Sequence, residues 1–238
     1  MINSVRNTVL SVANKNNFGY ITPEDFNLYA KQAQLDIFEN YFYQYNSWIV
    51  KQNARMSGSG YSDLVKSLEE TIDIFSTTAT LAYDIPSGTF DIPSDYYYLN
   101  SIRYNNAKEI DRVTQDKLMY LLSSNLTSPS TMFPVYSMEG SSLTIYPDSI
   151  DSLVKAQYVR MPKDPKWTFA NDQGVPLLSG GAPLFDQSSL DYQDFEIPYS
   201  DEPLLVAKIL QYAGISIRDA DVYNFATSEE TANKQTEG

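Results

Sequence analysis

Apolar residues return every three or four positions through one long stretch of this chain: Phe26, Ala30, Ala33, Ile37, Tyr41, Tyr45 and Trp48. That spacing predicts a single helix from Pro23 to about Val50, roughly 40 Å long. Thr22 suits the N-cap, Pro23 the first helical position, and Glu24 and Asp25 the positive end of the helix dipole. A second ridge of Tyr29, Phe38, Phe42 and Ile49 means that the helix meets more than one neighbour. It is either the centre of a monomeric core or a helix whose aromatic C-terminal half also faces another subunit. Gln32, Gln34, Asn40 and Gln44 suit a wet, uncharged contact as readily as solvent.

The flanking pattern predicts further helices. Val5, Val9 and Val12 place one over Asn3–Asn14, followed by a turn over Lys15–Tyr20 around Gly19. Gly58, Ser59 and Gly60 make Met56–Tyr61 a flexible connection. Ser62 then caps a shorter helix with Val65, Leu68, Ile72 and Phe75 inward, and the two helices can form a hairpin. Near the end, Asp201 caps a helix started by Glu202 and Pro203, with Leu205, Ile209 and Tyr212 packed and Gly214 as its stop. A new cap at Ser216–Asp219 precedes Ala220, Tyr223 and Thr227, and Glu229–Gly238 is a polar, frayed end.

The middle alternates instead. Thr80–Ala82 and Thr89–Ile92 are short extended segments around Pro86, Ser87 and Gly88, and Tyr96–Tyr104 is a tyrosine-rich strand. Asn105–Asn106 turns the chain into a strand at Lys108–Ile110. Thr114 caps a helix through Leu122, with Leu118 and either Leu121 or Leu122 packed. Val135–Met138 and Ser142–Tyr146 form a hairpin across Glu139–Gly140, and Leu153–Arg160 is another strand. The fold class is therefore α+β: a helical body with a small antiparallel β-sheet and long interface loops. The helical body takes 1–78 and 199–234, the β region with its short helix 79–163, and an extended acidic loop 164–198. That loop has little periodicity and carries Trp167, Phe169, Phe185 and Phe195 as scattered anchors. Either it wraps a neighbour or it is an irregular excursion tied to its own domain.

Composition narrows the chemistry. The 238 residues include no histidine and no cysteine, but 19 tyrosines. A histidine-dependent triad, a disulfide and a zinc site built on those residues are therefore excluded. Tyrosine abundance suits contact surfaces. Thirty acids against 17 bases give a net charge of -13, which disfavours grip on phosphate backbones or anionic lipid. The start of the chain lacks the apolar run of a signal peptide, and no window approaches the roughly 18 apolar residues of a membrane span.

No Lys or Arg occurs from Trp167 through Ala207, where Asp172, Asp186, Asp191, Asp194, Glu196, Asp201 and Glu202 lie. Paired carboxylates can serve acid–base catalysis or bind calcium, but Asp191, Asp194 and Glu196 complete no calcium loop. A solvated acidic loop is the expectation, with no metal, cofactor or catalytic residue assigned. Arg103, Arg112 and Arg160 read as ion-pair or rim residues, and an interfacial arginine can pair with a neighbour's acids. The ion-pair candidates are Arg103, Arg160, Asp191, Asp194 and Glu196.

The segment GYITPEDFNLYAKQAQLDIFENYF at Gly19–Phe42 resembles the opening of structural ring proteins from crAss-like tailed bacteriophages. So do FDIPSDYYYLNSIRY at Phe90–Tyr104, LTIYPDSI at Leu143–Ile150, AQYVRMPKDPKW at Ala156–Trp167 and DFEIPYSDEPLLVAKILQYAGISIRDADVYNFA at Asp194–Ala226. The resemblance implies a head-to-tail connector, or neck adaptor, below the portal, located in the virion and in host cytoplasm during assembly. It implies a cyclic homo-oligomer, commonly a dodecamer, that touches the portal protein and adjacent neck or tail rings and surrounds DNA without sequence-specific binding. No membrane, cofactor or enzymatic activity belongs to this expectation. Phe38, Tyr41, Phe42, Tyr45 and Trp48 are the first choices for subunit contacts, and Trp167, Phe169, Phe185 and Phe195 for contacts between rings. The alternatives are a distal tail or baseplate adaptor, a carboxylate-dependent glycan hydrolase with two carboxyl groups roughly 5–10 Å apart, and a soluble assembly chaperone.

Overall fold

The computed structural model describes residues 1–15, 21–55, 62–169, 178–179 and 182–217. Of the turn expected over Lys15–Tyr20, Lys15 is the last residue of a helix; the rest of it, the glycine-serine connection and the elements expected beyond 217 lie outside the described residues. The fold is α+β, with several helices and antiparallel and mixed strand pairing. It divides into two compact units, Met1–Leu68 with Pro162–Gly238, and Glu69–Met161. The expected divisions stood at 78/79 and 163/164, with the acidic loop as a part of its own. Here that loop belongs to the helical unit.

The helical unit is built from α1 (Ile2–Lys15), α2 (Pro23–Arg55) and α5 (Glu202–Ile217), and α5 packs against both of the others; α3 (Ser62–Asp73), the helix expected from Ser62, spans the division at Leu68/Glu69. The α2 start is the reciprocal cap that its residues predict. The Asp25 amide donates to Thr22 Oγ1 at 3.1 Å, and the Thr22 hydroxyl donates to Asp25 Oδ2 at 2.7 Å. Phe26, Ala30, Ala33, Ile37 and Tyr41 form the buried stripe of α2, facing a core that includes Val5 and Val9 of α1 and Leu205, Ile209 and Ala213 of α5. Gly214 does not end α5. It is buried beside Ala213, and helix packing overrides the weak intrinsic preference against glycine. A short ribbon, β10 (Leu178–Ser179) with β11 (Ala182–Pro183), and a 3-10 turn at Tyr199–Asp201 belong to the same unit.

The second unit holds two sheets. One has the order β1-β9-β4-β5 and pairs β1 (Ser76–Thr80), β9 (Val154–Arg160), β4 (Tyr96–Tyr104) and β5 (Lys108–Glu109), all antiparallel. The other has the order β2-β3-β8-β7-β6, from β2 (Ala82–Asp84), β3 (Thr89–Asp91), β8 (Ser142–Tyr146), β7 (Val135–Glu139) and β6 (Asp111–Arg112). The last pair, β6 and β7, is parallel, with α4 (Gln115–Ser123) in the connection between them. The expected single small sheet is thus two, and both feed one hydrophobic cluster. Ile102, Val154, Ala156 and Tyr158 come from the first sheet, and Phe90, Tyr136, Leu143 and Ile145 from the second. In the tight β7–β8 turn, Gly140 has φ +60°, a conformation that glycine adopts without Cβ strain. Among the described helices, none is long and apolar enough to cross a membrane.

Candidate functional site

The described stretches of the run 162–198, outside β10 and β11, are fastened to the helices by side chains that stand in for a strand partner. Asn27 Nδ2 donates to the Trp167 carbonyl at 3.1 Å, and the Trp167 amide donates to Asn27 Oδ1 at 2.8 Å. Two helical turns on, Gln34 repeats the device across two separate stretches of the run. Its Nε2 donates to the Lys163 carbonyl at 2.8 Å, and its Oε1 accepts the Glu196 amide at 3.0 Å. Gln34 is 1% exposed, so both bonds are made away from water. The Lys163 amide donates to Glu196 Oε2 at 2.8 Å, and Lys166 and Gln193 pair through their backbones. The expectation of Gln34 at a wet contact is corrected: its amide closes the loop onto its own helix.

Trp167 sits at the middle of this arrangement, 2% exposed. The Arg6 guanidinium lies 3.8 Å from its ring centroid, and Phe169 and Phe185 stack on it with centroids 6.0 and 5.8 Å away. Its indole nitrogen donates to Asn3 Oδ1 at 3.1 Å. Tyr192 meets Phe185 edge to face at 5.7 Å.

Asp194 anchors the N-terminal end of α1. Its Oδ1 accepts the Ile2 amide at 2.7 Å and the Phe195 amide at 2.8 Å, while its Oδ2 meets the Met1 ammonium at 2.9 Å. Burial alone would raise this carboxyl. The ammonium and the two backbone amides outweigh burial and leave its pKa below the ordinary value. Asp191 pairs with Lys166 at 2.8 Å on the surface, and Lys31 with Asp164 at 2.6 Å. Tyr41 donates to Asp201, Tyr212 to Asp36, and the Lys208 ammonium lies 3.5 Å from Asp36, tying α2 to the start and body of α5. Arg160 donates to the Met161 carbonyl at 3.2 Å, and Arg103 is exposed on β4. The acids thus bind within the chain: Asp191 to lysine, Asp194 to an ammonium and amides, and Glu196 to an amide.

The aromatic candidates separate by burial. Phe38 is fully buried and Tyr41 is 6% exposed, so both pack in the chain's own core. Phe42, which meets Phe38 edge to face at 5.1 Å, and Tyr45 are half-buried. Trp48 lies in α2, and its side chain is outside the described residues. Trp167 and Phe195 are interior as well, while Phe169 and Phe185 are half-buried around Trp167. On α2, the exposed large residues are instead Leu28 and Tyr43, among the described side chains. Sequence reading missed Asn3 and Asn27, whose roles depend on partners more than 100 positions away.

Asp194, whose pKa is lowered, lacks the raised pKa that the general acid of a glycan hydrolase needs. Among the described residues, no cluster of three or more acidic side chains is placed to hold a metal ion. No protein-family model matches the chain, and no curated protein matches it.

Proposed function

We propose that this chain is a structural virion protein that forms a ring in the portal-proximal neck, joining capsid to tail around the DNA channel. The reading is carried by the resemblance to ring proteins of crAss-like phages. It is supported by where the two longest resembling segments lie: they supply most of α2 and α5, which pack together and are bridged by Tyr41 to Asp201 and by Lys208 and Tyr212 to Asp36. A braced pair of helices of this kind suits a part that is positioned repeatedly. In this reading, copies close into a cyclic ring, commonly of about twelve, because a head-to-tail contact repeats until its rotation closes. The portal protein lies on one side and further neck or tail rings on the other. A chain of net charge -13 lets DNA pass without adhering.

Quantitative mass spectrometry of purified, DNA-filled particles tests the reading. About twelve copies per portal are expected. A chain found in the lysate but missing from finished particles is an assembly chaperone instead. Cross-links confined to distal tail proteins identify a tail or baseplate adaptor.

A further inference from the structure

The connection between β6 and β7 carries an ordered apolar surface with no use inside its own unit. Met119, Tyr120 and Leu122 of α4, and Leu126, Met132 and Phe133 of the chain that follows, all point to solvent. Tyr120 is 77% exposed, Phe133 79% and Leu126 95%. Yet the excursion is firmly held. Leu118 is buried, Lys108 Nζ donates to the Thr131 carbonyl at 3.0 Å, and Ser130 and Phe133 exchange backbone bonds at 3.0 and 3.3 Å. The Asp111 and Val113 amides fix its base on Pro134 and Tyr136 at 3.2 and 2.9 Å. Lys108 also reaches the Met132 sulfur at 3.2 Å. A rigid mount for exposed apolar side chains marks a contact surface.

We infer that this excursion, from α4 to Phe133, is a surface on which a second copy of this chain docks. Two observations select that occupant. First, Val113–Pro134 contains one acid, Asp116, and one base, Lys117, so the entire -13 resides elsewhere. Two copies repel each other through the charge carried on the rest of each chain, and that repulsion is least where they meet across a neutral patch. A basic partner is drawn instead to the acids outside the excursion. Second, five of the six side chains are at least 63% exposed, a concentration of apolar surface of the kind that a stable interface covers. The inference deepens the neck reading and rests on it, since that reading already requires copies to meet; it names the surface through which they do so.

Sedimentation equilibrium of the full chain tests it at about 50 and 500 mM salt. The expected average mass exceeds the 26.9 kDa monomer, rises with concentration and rises with salt, because screening removes the repulsion and leaves the apolar contact. Tyr120→Asp with Phe133→Asp weakens association at least tenfold. If that pair of changes perturbs folding, Leu126→Cys provides a second readout: in a chain without cysteine, one spin label at this position loses mobility on association. A monomer at about 1 mM overturns the inference. So does association that survives the paired substitution, association that weakens with salt, or a label that stays mobile in the associated state. A monomer that is nevertheless present in particles sinks this surface and leaves the neck reading intact. A self-associating chain absent from particles does the reverse.

Discussion

Asn27 on α2 and the Trp167 backbone hold each other by two hydrogen bonds, at 3.1 and 2.8 Å. Gln34, seven positions on, makes the same use of its amide with Lys163 and Glu196. An irregular segment has no neighbouring strand to satisfy its backbone, and a buried peptide group without a partner is destabilising. These two side chains supply that partner and fix the segment's position along the helix.

Gln34→Ala is therefore expected to destabilise the helical unit by about 1–3 kcal/mol, because it orphans a carbonyl and an amide together. Gln32→Ala, on the exposed side of α2, is expected to stay within about 0.5 kcal/mol. Thermal melts compare the two. Hydrogen exchange at the Glu196 amide gives the local check, with faster exchange in Gln34→Ala alone.

Phe38→Ala distinguishes core from interface. A fully buried phenylalanine predicts a loss of about 3–5 kcal/mol in the isolated chain. Tyr43→Ala, at 73% exposure, predicts little change. Denaturant unfolding measures both, and equal effects would contradict the burial assignment.

Asp194 sets an acid limit on stability. Its folded pKa lies below the ordinary 3.8, so its contribution is present above that value and is lost as pH falls toward the folded value. Asp194→Asn is expected to lower stability near neutral pH and to flatten the acid limb of a melting-temperature profile below about pH 4. A parallel profile for the two proteins would show that the carboxylate contributes no such linkage.

Tyr136, Tyr158 and Tyr192 set the alkaline counterpart. Burial raises all three, helped at Tyr158 by its 3.0 Å bond to Asp95 and at Tyr192 by the charge of nearby Asp194. Their raised folded values favour the fold below pH 10, an advantage that fades as pH climbs from 10 through those values. Absorbance at about 295 nm during alkaline titration should show these tyrosines ionising late, then together with unfolding. Tyr136→Phe and Tyr158→Phe should each remove one late ionisation.

The local signals were readable. Thr22, Pro23 and the stripe from Phe26 to Tyr41 specify α2 because capping and packing act within a few residues of one another. Gly140 between two alternating runs likewise specifies the β7–β8 hairpin. The division into two sheets was not readable. It depends on Phe90 meeting Leu143, and Ser76 meeting Val159, pairings decided by global shape. The aromatic pattern of α2 looks the same whether it faces a core or a neighbour, so the burial of Phe38 and Tyr41 within the chain had no signal of its own. Asn27 and Gln34 carried no signal, because an amide that binds water and one that binds a distant backbone have the same periodicity.

The most direct test is a cryo-electron microscopy map of the mature, DNA-filled particle. The account predicts this fold in a closed ring of repeated copies between the portal and the next tail ring, with the channel at its centre. A complete neck in which every density belongs to other polypeptides would contradict it.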